Sequence, residues 1–178
     1  MIPAVPDDHR ISALVAADIE PLAALARVIW HQHYPGIIPV KQIEYMLEQR
    51  YSPETIRADI ESSAARWVKL VVNGELGGFA SYETDGARRA AKLDKLYVHG
   101  MFRGRGCGAA LFRHVERSAR SRGCDRIYLQ VNRNNFDSIA VYRRLGFEVM
   151  DRVKADIGGG FYIDDYVMAK QIRPDVRG

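Results

Sequence analysis

A chain of 178 residues, 47 % hydrophobic and 27 % charged, has the balance of a soluble domain with its own core, since roughly 70 % of the unfolded surface is buried at this size. No apolar run nears the roughly 20 residues that span a bilayer, and the opening MIPAVPDDHR lacks the apolar stretch of a secretory leader. Cys107 and Cys124 are too few for a disulfide framework and lack metal-ligand spacing, which makes the reducing cytoplasm the expected compartment and membrane partners unexpected. The net charge of +4, much of it between Arg103 and Arg126, favours an anionic partner, either phosphates on a small molecule or a nucleic acid.

Along the chain, RISALVAA (10–17) predicts a first strand, with Asp18 as N-cap of the next helix and Glu20 and Pro21 in its first turn. That helix, IEPLAALARVIWHQHY (19–34), keeps Leu22, Leu25, Ala26 and Ile29 on one face until YPGIIP breaks it. VKQIEYMLEQRY (40–51) predicts a second helix and SPETIRADIESS (52–63) a third, with Ser52 as its cap. WVKLVV, Asn73-Gly74 and ELGGFASYE read as a hairpin, because Asn-Gly supplies the positive φ of a type I′ turn. KLDKLYV (92–98) is the next strand, and RGCGAALFRHVERSARSRG (105–123) a helix with Leu111, Val115 and Ala119 along one side. IYLQV (127–131) is a short buried strand, followed by the helix FDSIAVYRRLG (136–146), which Gly146 stops. FEVMDRVKADI and FYIDDYVMAKQI close the chain as two strands around Gly158-Gly159-Gly160. The order predicts one mixed α/β domain over residues 1–178. Its central strand–helix–strand unit, KLYV to IYLQV, should be parallel and right-handed, with antiparallel hairpins on either side.

The stretch FRGRGCGAAL (102–111) places glycines at every second position, with arginines between, where a strand gives way to a helix. A nucleotide P-loop fails here, since Cys107, Gly108 and Ala109 stand where lysine and Ser or Thr belong. Gly104, Gly106 and Ala109 fit a dinucleotide fingerprint on paper. However, the following strand, IYLQVNRN, lacks the ribose-binding acid, and His99 to Phe102 intervene between strand and glycines. Arg103-x-x-Gly106-x-Gly108 at the mouth of a helix, after LDKLYV, resembles the pyrophosphate loop of the GCN5-related N-acetyltransferases (GNAT). In that family the loop's amides and the helix N-terminus hold the diphosphate of coenzyme A. Orphan N–H donors and the helix dipole attract phosphate, and glycine removes the Cβ atoms that would block it. The resemblance implies that Arg103, Gly104, Arg105, Gly106, Cys107, Gly108 and Ala109 bind the coenzyme, the arginines pairing with phosphate oxygens. A helix packed tightly on a strand, with solvated arginines, is the plainer reading.

A second stretch, VNRNNFDSIAVYRRLGFEV, resembles the other signature of that family: Asn135, Ser138, Tyr142, Gly146 and Phe147 match position by position. Together the two motifs imply a single-domain α/β (mixed α+β sheet) GNAT acyl-CoA N-acyltransferase fold. It would have about seven mostly antiparallel strands, a central splayed parallel pair and flanking helices. They also imply acetyl-CoA as cofactor. The splayed strands would offer Leu96, Tyr97 and Val98 to the pantetheine chain like a short extra strand, and the Val98 N–H would polarise the thioester carbonyl and hold the oxyanion that forms. Asn135 and Ser138 would meet the pantetheine arm. Tyr142 would face the sulfur as general acid, although as a residue on an amphipathic helix it also reads as a core aromatic. Asp94 shares one strand face with Leu96 and Val98 and is a candidate base, with Glu83 on the neighbouring strand as the second. Either also reads as an exposed or salt-bridged acid, Lys92 and Lys95 being close in sequence.

In this family acceptor specificity comes mostly from the first helices and the last hairpin. Here these look similar to the PaiA-type branch, whose members acetylate polyamines such as spermidine. The implied acceptor is a small-molecule amine held by Asp164, Asp165, Glu44 and Glu83 with Tyr34, Tyr45 and Tyr162. The aromatics also read as core or rim, and Asp164–Asp165 as the flank of an edge strand. His31 and His33, two apart at a helix end with no third ligand, make a poor metal site, so no metal is expected. Competing readings are a peptide or ribosomal-protein N-terminal acetyltransferase and a domain that senses acyl-CoA without turnover. A nucleic-acid-binding module, suggested by Arg113, Arg117, Arg120, Arg122 and Arg126, is disfavoured because Glu116 and Asp125 interrupt the run and no recognition motif accompanies it. Dimers are frequent among such proteins, so a homodimer is one expected assembly.

Overall fold

The structure is a computed structural model that describes residues 8–63 and 65–173. The first strand, β1 (His9–Ala13), ends sooner than its sequence suggests, and Ala16–Asp18 form a 3-10 turn instead. Asp18 explains the difference. Its carboxylate accepts the Val15 amide at 2.8 Å and the Lys69 ammonium at 2.6 and 2.7 Å, a local side-chain bond that competes with strand continuation. Asp18 therefore makes no side-chain cap for helix α1 (Ile19–His33). Helices α2 (Val40–Tyr51) and α3 (Pro53–Ser62) follow, the latter capped by Ser52, whose Oγ accepts the Thr55 amide at 3.3 Å.

Strands β2 (Arg66–Val72) and β3 (Glu75–Asp85) form an antiparallel hairpin. Asn73 and Gly74 both take positive φ, 51° and 80°, as a type I′ turn requires. Strand β4 (Ala90–Val98), helix α4 (Cys107–Ser121), strand β5 (Arg126–Asn132), helix α5 (Phe136–Arg144) and strands β6 (Glu148–Gly158) and β7 (Phe161–Gln171) complete the order. The strand order is β1-β2-β3-β4-β5-β7-β6. β4 and β5 are the parallel pair, in register from Ala90↔Arg126 to Lys92↔Tyr128, and β7 runs antiparallel to both β5 and β6. The result is one mixed seven-stranded sheet with flanking helices and a single parallel pair among the pairings described, as the sequence predicts.

The chain forms two compact units, one containing residues up to Glu83 and Lys95–Val115, the other Thr84–Asp94 and the residues from Glu116 onward. In the first, α1–α3 turn their apolar stripes inward, burying Leu22, Ile29, Trp30, Ile43, Leu47, Tyr51 and Ile56 with Trp67 and Phe79 of the hairpin. Each such side chain contributes roughly 1.5–3 kcal/mol when fully buried. In the second, Leu129 of β5 faces Met168 of β7, and both are almost wholly buried. Among the described residues no helix is long and apolar enough to cross a membrane.

Candidate functional site

In the first unit the geometry starts from Gly77 and Gly78. A Cβ on Gly78 would lie 2.6 Å from the Tyr97 carbonyl oxygen and 3.3 Å from the Val98 Cα, and one on Gly77 would lie 2.8 Å from the Phe102 ring. The His99 amide donates to the Gly77 carbonyl at 2.8 Å. Because C=O and N–H of a trans peptide point in opposite directions, a Tyr97 carbonyl lying against Gly78 turns the Val98 N–H away from β3. Two glycines inside a strand signal such an approach of backbone to backbone. That signal stands in ELGGFASYE, a stretch that by its pattern reads only as a hairpin strand.

After Val98 the chain makes a 3-10 turn, Gly100–Phe102, that buries Phe102 and fills the interval that a dinucleotide fingerprint would not have. Arg103 folds back, its Nε donating to the Val98 carbonyl at 3.0 Å. Gly104 and Gly106 then take φ of +72° and +74°, and the Gly106 carbonyl accepts the Ala110 amide at 2.9 Å as α4 begins. Gly108 needs no special φ; a Cβ there would only approach Val98 Cγ2 at 3.9 Å. The amides of Cys107, Gly108 and Ala109 lie in the first helical turn, where no intrahelical acceptor exists and the helix dipole is positive. Cys107 is 1 % exposed and burial pushes its thiol up, although the Arg105 charge opposes the shift, so it is no thiolate nucleophile. The loop suits a diphosphate: bare amides, a positive dipole and exposed Arg105.

Alternation along β4 separates its side chains. Lys92, Asp94, Leu96 and Val98 share one partly exposed face, whereas Leu93 and Lys95 are buried on the other. Asp94 is 15 % exposed and its Oδ1 is 3.7 Å from the Lys92 ammonium. The Lys95 ammonium sits 4.7 Å above the Trp67 ring and 5.4 Å above that of Tyr51. Tyr97 follows Lys95, and its hydroxyl lies 2.9 Å from that of Tyr34. Glu83 is exposed on β3. Glu44 is already engaged, accepting from Arg27 Nη2 at 2.5 Å and lying 2.7 Å from His31 Nε2; the Arg27 hydrogen bond holds its carboxyl below the usual range despite some desolvation. His33 meets Tyr34 edge-on, and among the described residues no group of three or more His, Cys, Asp or Glu could hold a metal.

In the second unit Asn135 caps α5: its Oδ1 accepts the Ser138 amide at 3.3 Å and its carbonyl accepts the Ile139 amide at 3.0 Å. Gly146 exits the helix at φ +92°, the Phe147 amide returns to the Tyr142 carbonyl at 3.0 Å, and the two rings meet at 5.7 Å. The spacing of the second motif thus has a physical cause in cap, exit and ring contact. Part of the Tyr142 ring remains exposed, but burial around its hydroxyl pushes the phenol up to about 12.

In the last hairpin, Asp164 of the expected acidic acceptor site is already paired with cations. Asp164 accepts from Arg152 Nε and Nη2 at 2.6 Å each, and Arg133 and Lys154 stand at 3.0 and 4.0 Å. The Arg152 hydrogen bond is the main cause that lowers its carboxyl below the usual range. A carboxylate shared by three cations has little attraction left for a fourth. Asp165 opposes Asn132 and Val153 across the strands, and Tyr162 is 66 % exposed.

The sequence profile of the acetyltransferase (GNAT) family matches residues 23–147. An acetyltransferase of Pectobacterium atrosepticum is 40 % identical over 80 residues, 45 % of this chain and 55 % of that one. Streptothricin acetyltransferase of Streptomyces lavendulae is 31 % identical over 87 residues, 49 % of this chain and 46 % of that one. The chain spans about half the length of these curated relatives. Among solved structures, the PaiA N-acetyltransferase of Thermoplasma acidophilum in complex with coenzyme A superposes with a TM-score of 0.81 at 25 % identity, over 93 % of this chain and 99 % of that one.

Proposed function

We propose, from the premise that the chain belongs to the GNAT acetyltransferase family, that it is an acetyl-CoA-dependent N-acetyltransferase acting on a small cationic amine such as a polyamine. The observation that carries this reading is the pair of left-handed glycines, Gly104 and Gly106, opening onto the first turn of α4. Such a turn aims amides at an anion and leaves no side chain in its path. The amides of residues 107–109, with Arg105, hold the diphosphate. Leu96, Tyr97 and Val98 offer their backbone to the pantetheine arm. When bound, acetyl-CoA supplies an acetyl group activated as a thioester.

The chain's own groups do the rest. The Val98 N–H, turned away from β3, donates a hydrogen bond to the acetyl carbonyl and favours charge developing there. Tyr142, its phenol pushed up to about 12, keeps its proton at every working pH; it passes that proton to the departing sulfur where burial destabilises the thiolate as well, and regains one from the nitrogen as the amide forms. Asp94 takes the proton that the acceptor ammonium must lose before its nitrogen attacks, directly or through water. Glu83, more exposed, is the second candidate. Likeness to streptothricin acetyltransferase and to the PaiA enzyme supports a small amine acceptor. A second reading, a peptide α-amine, draws on the three cations gathered around Asp164, Arg133 after β5 and Arg152 and Lys154 of β6, which suit an acceptor that carries a carboxylate.

Calorimetry with coenzyme A and a thiol-release screen test both. Polyamines, aminoglycosides, amino acids and short peptides are offered with acetyl-CoA, and turnover of a polyamine is the expected result. Turnover of peptides alone moves the acceptor to the second reading. Coenzyme binding without turnover of any amine identifies a sensor, and no coenzyme binding ends the proposal.

A further inference from the structure

The Tyr97 side chain leaves β4 on the Lys95 side, opposite Leu96 and Val98, and ends among hydroxyls and rings. Its hydroxyl lies 2.9 Å from that of Tyr34. The rings of Phe79, Trp30 and Tyr51 stand at 5.6, 6.0 and 6.3 Å. Burial holds the Tyr97 phenol well above its ordinary range, so these contacts persist through any working pH. Tyr34 closes α1, and its carbonyl accepts the amides of Ile37 and Ile38 in the turn that follows. Tyr51 is the last residue of α2. The hydroxyl bond therefore ties the end of α1 to the last residues of β4, and the Tyr51 ring packs the end of α2 edge-on against the same tyrosine.

The backbone of the same residue is pinned elsewhere. Its carbonyl oxygen packs over Gly78, 2.6 Å from where a Cβ would stand, and the next carbonyl, that of Val98, accepts Arg103 Nε. A tyrosine held at its tip and at its carbonyl cannot turn about its Cα without breaking one attachment. We propose that Tyr97 is a positioning residue: through its hydroxyl bond to Tyr34 it fixes the Tyr97–Val98 peptide, and with it the direction of the Val98 N–H. The importance of that direction for acetyl transfer rests on the function proposed above; the anchoring itself does not.

Tyr97→Phe and Tyr34→Phe each keep the ring and remove one hydroxyl. In the whole protein without coenzyme, the Val98 amide resonance and its hydrogen-exchange rate should change in both variants, whereas Tyr128→Phe on β5 should leave them unchanged. With acetyl-CoA and an accepted amine, each variant should lower kcat about three- to tenfold while the acetyl-CoA KM stays within about twofold. The double variant should be no slower than the slower single, because both changes cut the same link. A tyrosine that merely packs would lower Tm alone, so an unmoved Val98 resonance with unchanged kcat overturns the inference. If Tyr97→Phe fails to fold, Tyr34→Phe, at the rim of the cluster, tests the same link. A wild-type protein that neither binds coenzyme nor acetylates any amine defeats the proposed function, and the Val98 resonance still decides the anchoring.

Discussion

Burial around the Tyr142 hydroxyl moves its phenol from the ordinary value of 10 to about 12, and this makes it a persistent proton carrier rather than a base. Tyr142→Phe should lower kcat on the order of 10²-fold, as loss of a general acid does, and change the coenzyme dissociation constant little. Steady-state kinetics with calorimetry separate the two, and equal losses in both would contradict the role. The same shift has a stability consequence. The folded chain keeps this proton until about pH 12 while the unfolded chain releases it near 10, so the associated stability is whole below pH 10 and is lost as pH rises between those values. Urea melts at pH 9 and pH 11 should therefore differ less for Tyr142→Phe than for the wild type. The motif announces the tyrosine, but its proton affinity is illegible in sequence, because desolvation depends on what packs around the hydroxyl. The same holds for Asp164, an acid in sequence whose charge is spent on Arg133, Arg152 and Lys154.

Glycines set the behaviour of two elements, for different reasons. In β3, Gly78→Ala would push a methyl to 2.6 Å from a backbone oxygen, which no rotamer change relieves. A cost of about 1–3 kcal/mol, as for overpacking generally, should appear as a lower urea midpoint, together with a lower kcat as the Val98 amide shifts. In the loop before α4, Gly104→Ala forces a Cβ into a φ of +72°, costing about 1 kcal/mol and weakening coenzyme binding. Gly108→Ala meets nothing closer than 3.9 Å in the protein; it should leave Tm unchanged and still weaken coenzyme binding, since its methyl would stand among the amides that face the phosphates. Calorimetry beside thermal melts distinguishes strain from obstruction. Most elements are readable from caps and turns: Ser52 before α3, Asn73-Gly74 in the hairpin, Asn135 before α5. The first strand is shorter than its pattern suggests because the Asp18 carboxylate takes the Val15 amide; its ion pair with Lys69, 51 positions away, leaves no local mark.

For the molecule as a whole, ligand binding is the broadest check. A ligand that binds the folded chain alone stabilises it by about 2.7 kcal/mol at one hundred times its dissociation constant. Coenzyme A at that concentration should raise Tm, and Gly108→Ala should blunt the rise. An unchanged Tm at saturating coenzyme would tell against the loop assignment. Short-range chemistry was determined by the sequence alone: the helices, the type I′ turn, the glycine loop at the mouth of α4 and the Asn135–Tyr142–Gly146 spacing all depend on residues within a few positions of one another. The tertiary structure alone decided which charges are already spent, that Lys95 lies over Trp67 and Tyr51, and that Tyr34 meets Tyr97 across 63 positions. Those outcomes follow from distance and desolvation in space, and neither quantity is encoded in the separation of residues along a chain.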